Sequence, residues 1–144
     1  MPVPGRKQKT EGQAITRHPP TTEWVLVEDV PFTGGPKLPR TQPDGRAWPT
    51  WTKRWWATVS TMPHCSLWTA SDWEFAMDTA ALKAKFHTDG GTGMATEIRN
   101  REKVLGTTVD YRRDLRIRYF TRKPEVAEDA APAAVVSLDD YREL

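Results

Sequence analysis

The chain has 144 residues and a formal net charge of +2, from 21 lysines and arginines and 19 aspartates and glutamates. This length accommodates one domain and little more. The single cysteine, Cys65, excludes an internal disulfide, and the longest apolar runs fall well short of the roughly 18 residues of a membrane-spanning helix. With no signal-peptide pattern at the N-terminus, these features predict an intracellular protein from a reducing compartment, with no membrane association.

The N-terminal third is rich in proline. Eight of the twelve prolines precede Arg46, and glycine, threonine and charged residues make up most of the remainder. Such a composition buries too little apolar surface to offset its ordering entropy, which predicts a flexible arm over residues 1–46. One apolar island, residues 24–32, differs. It fits a short strand or an extended strap laid over the folded body as well as it fits plain disorder.

The folded body is predicted over residues 47–123 and begins with two helices. Pro49 suits the first position of a helix that runs to about residue 61. The apolar stripe of this helix, at three- and four-residue spacing, consists of Trp48, Trp51, Trp55, Trp56 and Val59. The second helix begins at Thr69 or Ser71, each followed three residues later by an acid, and runs to about residue 87. It is apolar around most of its girth, as in a helix at a bundle centre or a subunit contact.

Two further helices complete the predicted bundle. The third spans residues 94–105 and ends at Gly106, which suits a left-handed cap. The fourth starts immediately, capped by Thr107 with Asp110 three residues on, and its apolar stripe consists of Tyr111, Leu115 and Tyr119. The predicted fold class is therefore all-α, a small bundle of about four helices with a disordered or extended N-terminal arm and a short acidic C-terminal tail.

The charges are unevenly distributed. Residues 47–123 carry 13 basic and 8 acidic side chains, whereas residues 124–144, an acidic linker and tail, carry 1 and 6. A basic body beside an acidic tail suits an anionic partner on one side and a different partner on the other. A soluble domain with a solvated tail explains the same charges equally well.

Catalytic constellations are absent from the sequence. The three histidines are scattered, and the adjacent pair His64 and Cys65 lacks the spacing of a zinc site. The glycine-rich stretch 90–93 lacks the lysine of a phosphate-binding loop and fits a hinge between helices. We therefore expect no enzyme activity, no cofactor and no metal.

The arginines of the predicted fourth helix are the strongest functional feature. Planar guanidinium groups bind phosphate oxygens, and two helices joined at Gly106 have the outline of a helix-turn-helix. An ordinary helical hairpin with a solvated basic face accounts for the same residues equally well. Under the functional alternative, the predicted contacts to double-stranded DNA are Arg112, Arg113, Arg116 and Arg118, extended by Lys53 and Arg54.

The tryptophans suggest both a core and a subunit contact. Core packing explains Trp55, Trp56 and Trp73, whereas Trp48, Trp51 and Trp68 are expected to be partly exposed. A folded body this small is only marginally stable alone, so burial of apolar surface between subunits would stabilise it. The predicted homo-oligomer interface consists of Trp51, Trp55, Trp68, Trp73, Met77 and Phe86.

The order of these motifs resembles the small terminase subunit of tailed bacteriophages, especially those that infect actinobacteria. The resemblance covers residues 48–120 and rests on Trp51, Trp55-Trp56, Asp72, Glu97-Ile98-Arg99 and Leu105-Gly106-Thr107-Thr108-x-Asp110-x-Arg112-Arg113-x-Leu115-Arg116. One departure is Thr108-Val109, because the family often has proline just after the threonine of this turn.

The resemblance implies a non-enzymatic packaging factor in the cytoplasm of the host bacterium. Such proteins form rings, here of about eight or more subunits, bind the phage genome near its packaging start, and deliver it to the large terminase subunit for packaging into the procapsid. They also regulate the ATPase and nuclease of that subunit. Mapped onto this chain, helices two and three supply ring contacts and the fourth helix faces DNA. Charge and position make the tail the predicted contact with the large subunit, through Leu138, Asp139, Asp140 and Tyr141.

Two other functions remain open at the level of sequence. A small helix-turn-helix regulator would be dimeric and bind a short palindrome. A structural head–tail connector would form a ring without affinity for DNA.

Overall fold

The computed structural model describes residues 23–125, which form four α-helices and a two-stranded parallel sheet. In chain order the elements are β1 (Val25–Glu28), α1 (Thr50–Val59), a 3-10 helix (Pro63–Leu67), α2 (Ala70–Asp89), a second 3-10 helix (Thr92–Met94), α3 (Ala95–Leu105), α4 (Val109–Asp114) and β2 (Ile117–Phe120). The predicted helical architecture is confirmed, whereas the prediction of a purely all-α fold is wrong because β1 and β2 pair. The N-terminal leader 1–22 and the tail 126–144 lie outside the described residues.

Helices α1 and α2 pack along a row of small residues. Ala76, Ala80 and Ala84 recur at four-residue spacing on α2 and are completely buried. Because methyl groups leave room on this face, the indoles of Trp48 and Trp56 fill the space beside it, and both are only 5% exposed. The predicted partial exposure of Trp48 is therefore wrong: its ring belongs to the core.

Helix α2 has the ends that the sequence predicts. The Thr69 backbone N–H donates to Asp72 Oδ2 at 2.7 Å, and the reciprocal bond completes a capping box. Hydrogen bonds donated by the backbone N–H and the side-chain hydroxyl of Thr69 lower the pKa of the Asp72 carboxyl group. The alternative cap at Ser71 is not used, since Ser71 lies inside the first turn. At the other end Gly90 adopts the left-handed conformation, with φ 65°.

The turn between α3 and α4 differs from the prediction by one residue. Gly106 is the expected left-handed cap, with φ 71°. Thr107 does not cap α4, because its N–H still bonds to Glu102 O at 3.3 Å and so belongs to the closing turn of α3. The first extended residue is Thr108, whose side chain accepts a hydrogen bond from the Tyr111 N–H at 3.2 Å.

The predicted fourth helix is too long. Helix α4 ends at Asp114, and Arg116 has a φ of 61°, which turns the chain out of the helix and into β2. Strand β2 pairs in parallel with β1 in a register that places Val25 opposite Ile117 and Phe120 opposite Glu28. The helical stripe of Tyr111, Leu115 and Tyr119 therefore does not exist, because Tyr119 lies on the strand.

Residues 23–49 form a strap over the helices, so the structure shows the docked alternative for the apolar island. The Phe32 N–H donates to Thr61 O at 3.0 Å, and the Phe32 ring stacks on Trp73 with centroids 6.0 Å apart. Two buried indoles donate to strap carbonyls: Trp56 Nε1 to Pro36 O at 3.1 Å and Trp48 Nε1 to Pro39 O at 2.9 Å. These bonds satisfy donors that would otherwise be buried without a partner.

Candidate nucleic-acid interface

The segment from α4 through β2 concentrates positive charge at one end of the fold. Residues 109–123 carry six basic and two acidic side chains, which leaves a local charge of +4. Helix α4 packs against α3 and β2, and β2 packs against β1. The basic side chains in this segment are Arg112, Arg113, Arg116, Arg118, Arg122 and Lys123.

Arg112 is committed to the fold. Its Nη1 donates to Gly106 O at 3.2 Å, and its Cζ lies 4.7 Å from the centre of the Tyr119 ring. The side chain is half-buried and ties the end of α3 to β2. Contact with a phosphate would require it to give up part of this arrangement.

Arg113, Arg116 and Arg118 follow along the same segment, with Arg113 and Arg118 exposed and Arg116 half-buried. Arg113 is exposed in the last turn of α4. The guanidinium groups of Arg116 and Arg118 both lie over the ring of Trp24, with Cζ atoms 5.3 Å and 4.4 Å from its centre. We call the set of Arg113, Arg116 and Arg118 the arginine strip.

The strip continues along the chain to Arg122, whose role is different. Arg122 Nη2 lies 3.4 Å from Glu28 Oε2, so this cation is paired across the two strands. The pair is largely exposed and contributes little to stability.

Lys53 and Arg54 are not brought to the arginine strip. Both are exposed on α1, which packs against α2, and the Arg54 Cζ lies 5.5 Å from the ring of Trp51 on the same helix. The six residues predicted to bind DNA therefore fall into two groups on different elements of one protomer. Their roles stay predictions.

His64 is a structurally important residue that sequence reasoning missed. Its ring is 1% exposed, with Nε2 2.7 Å from Leu105 O and Nδ1 2.5 Å from the Tyr119 hydroxyl. Burial lowers the pKa of His64, since the charged ring would be desolvated. It links the 3-10 helix after α1 to the end of α3 and to β2. No local sequence signal marks it, because its partners are 41 and 55 residues away.

Comparison with known families decides the identity. A family model described as phage terminase small subunit matches residues 2–144. The chain belongs to the phage terminase small subunit family. Comparison with curated proteins and with solved structures gives no match. Small terminase subunits are in general non-catalytic DNA-binding adaptors, and membership implies DNA and a large terminase subunit as partners.

The predicted oligomer contacts of this small terminase subunit are mostly engaged within the protomer. Trp55 Nε1 donates to Glu102 Oε1 at 2.9 Å, and Trp68 and Trp73 pack edge to face at 4.8 Å. Trp51 is the exception, with 64% of its surface exposed. The half-buried members of the predicted set are Trp55, Trp68, Trp73, Met77 and Phe86.

Three further points concern the acidic tail, a metal site and a membrane-spanning helix. The predicted large-subunit contacts Leu138, Asp139, Asp140 and Tyr141 lie outside the described residues. Within residues 23–125, no three histidine, cysteine, aspartate or glutamate side chains are grouped as metal ligands would be. None of the described helices is long and apolar enough to cross a membrane.

Proposed function

We propose that this small terminase subunit is a ring-forming adaptor that recognises the phage genome and brings it to the large terminase subunit for packaging. Family membership carries the proposal, because it makes DNA and the large subunit the expected partners. The charge of the α4–β2 segment supports it, since an excess of arginine suits binding to phosphates. The protein acts in the cytoplasm of a bacterial host, which we propose to be an actinobacterium.

The arginine strip is the proposed DNA-binding surface. Exchange of Arg113, Arg116 and Arg118 for glutamine should weaken binding to a duplex uniformly across sequences. Removal of one phosphate contact should make the slope of log affinity against log salt shallower by about 0.9, so the slope of the triple variant should be shallower by roughly 2 to 3. The measurement is fluorescence anisotropy of a labelled duplex at several salt concentrations.

A matched control removes the same charge elsewhere. Lys37, Arg40 and Lys85 are exposed on the strap and on α2, away from the sheet. Their triple glutamine variant has the same net charge as the strip variant but should retain most of the wild-type affinity. Equal decreases in affinity in the two triple variants would show that net charge, and not this surface, binds DNA.

Ring formation is proposed from the exposed and half-buried aromatic side chains and from the small size of the folded body. Sedimentation or native mass measurement tests it, with about eight or more subunits expected. In a ring, Lys53 and Arg54 of one subunit can extend the strip of its neighbour. A Lys53→Gln, Arg54→Gln variant should then weaken DNA binding by the assembled protein.

The tail is the proposed contact with the large subunit. Deletion of residues 124–144 removes six acidic side chains and one basic side chain. Ring assembly should survive, whereas stimulation of the large-subunit ATPase should decline. Stimulation at the wild-type level would exclude the tail.

A dimeric helix-turn-helix regulator fits the fold less well. Helix α4 has six residues, so it is only about 9 Å long, which is short for a recognition helix in the major groove.

A further inference from the structure

Trp24 lies at the junction between the N-terminal strand and the arginine strip. It immediately precedes β1 and is half-buried. Its ring is within 5.3 Å of the Arg116 Cζ and 4.4 Å of the Arg118 Cζ. A single indole from one end of the described chain therefore contacts two arginines from the other end.

The strand register explains this meeting. Val25 lies opposite Ile117, and the Val25 N–H donates to Arg116 O at 2.8 Å. Arg116 has a φ of 61°, a conformation that non-glycine residues rarely adopt. Docking of β1 supplies a backbone hydrogen bond at this turn, and Trp24 supplies an apolar surface for its side chain.

The chemistry of the contact suits phosphate binding. Contact between an aromatic ring and the flat face of a guanidinium group does not use the N–H donors of that group, because they point outward in its own plane. Its rotamers are restricted before any ligand arrives, which reduces the ordering cost of binding. An arginine held in this way is a preorganised fork for phosphate oxygens.

We infer that Trp24 is a positioning residue for nucleic-acid binding, holding the guanidinium groups of Arg116 and Arg118 in orientations that contact the duplex backbone. The inference rests on the proposed function and deepens it: the N-terminal strand becomes part of the DNA-binding surface. Trp24 itself makes no base contact in this arrangement, so the effect is independent of DNA sequence.

A double-mutant cycle in the full-length protein tests the inference with a short duplex of random sequence at low salt. Trp24→Leu keeps apolar bulk but removes the aromatic face, so two arginine side chains must be ordered on binding, which predicts a loss of affinity of about tenfold. In the Arg116→Gln, Arg118→Gln background, Trp24→Leu should cause less than about a twofold further loss, because there is no guanidinium left to orient.

Two further variants make the cycle specific. Trp24→Phe keeps a weaker aromatic face and should lose about threefold; it also completes the cycle if the leucine variant does not fold. Arg113 is not in contact with Trp24, so Trp24→Leu should lose the full tenfold in an Arg113→Gln background. Circular dichroism and thermal melting identify variants that are folded.

The inference is overturned if Trp24→Leu weakens binding equally in the wild-type and Arg116→Gln, Arg118→Gln backgrounds, since Trp24 would then act through the fold alone. It is also overturned if Trp24→Leu binds like wild type while the double arginine variant binds weakly, an outcome that leaves the proposed function standing. A double arginine variant with wild-type affinity would remove Arg116 and Arg118 from the proposed DNA-binding surface and the inference with them.

Discussion

Removal of one hydroxyl group, in Tyr119→Phe, should destabilise the fold measurably. A carbonyl only accepts hydrogen bonds, so the 2.7 Å contact with Leu105 O places the proton of His64 on Nε2. His64 Nδ1 must then accept from the Tyr119 hydroxyl, 2.5 Å away. Phenylalanine keeps the ring beside Arg112 but leaves Nδ1 buried without a donor.

The magnitude follows from the burial of His64, which is 1% exposed. A buried acceptor deprived of its partner costs about 1–3 kcal/mol. For a domain of this size each kcal/mol lowers Tm by roughly 4–8 °C, so the expected decrease in Tm is about 4–24 °C. Urea titration at pH 7.5 measures the loss in free energy of unfolding independently of the Tm.

Tyr111→Phe is the matched control, because its hydroxyl makes no hydrogen bond within residues 23–125. That variant should change stability by less than about 0.5 kcal/mol. If the two variants were equally stable, the link between His64 and Tyr119 would not contribute to stability, and the reasoning from burial would be refuted.

Three further predictions concern stability and reactivity. Burial lowers the pKa of both His64 and His87, so the native state binds fewer protons than the unfolded chain below about pH 6.5. The free energy of unfolding from urea titrations should therefore be constant above pH 7 and fall toward pH 5.5, and a rise would contradict this. Trp48→Ala should cost about 3–5 kcal/mol in thermal or chemical unfolding, whereas Trp51→Ala should cost less than about 0.5 kcal/mol when the protein is diluted to single protomers, and equal costs would contradict the burial difference. Burial raises the pKa of Cys65 to about 12, so its thiol should react with a thiol reagent only under denaturing conditions; rapid labelling of the native protein would show that the site opens.

The sequence predicts the local parts of this fold well. Thr69 with Asp72, Gly90 and Gly106 set helix ends through contacts a few residues apart, and all three are found where expected. The burial of Ala76, Ala80 and Ala84 on α2 also follows from their four-residue spacing, which places them on one face of the helix. These features depend on backbone conformation and spacing, which a single sequence displays directly.

The missed features depend on contacts between distant residues. Tyr119 has helical spacing from Leu115, yet β1, more than 80 residues upstream, draws residues 117–120 into a parallel pair. No residue near Arg116 in the sequence predicts the left-handed backbone conformation of Arg116. The arginines themselves could be identified from the sequence. Their contact with Trp24 and their separation from Lys53 could be seen only in the folded structure.

The parallel direction of the two strands determines where the rest of the chain is attached. The N-terminal leader carries four basic and one acidic side chains in residues 1–22. It is connected to the strand pair at the Val25 end of β1. The acidic tail joins it beyond Phe120, at the opposite rim, about 10 Å away or more. An antiparallel hairpin would anchor both oppositely charged extensions at one rim, where they would neutralise each other. The described chain therefore enters β1 and leaves β2 at different rims of the protomer.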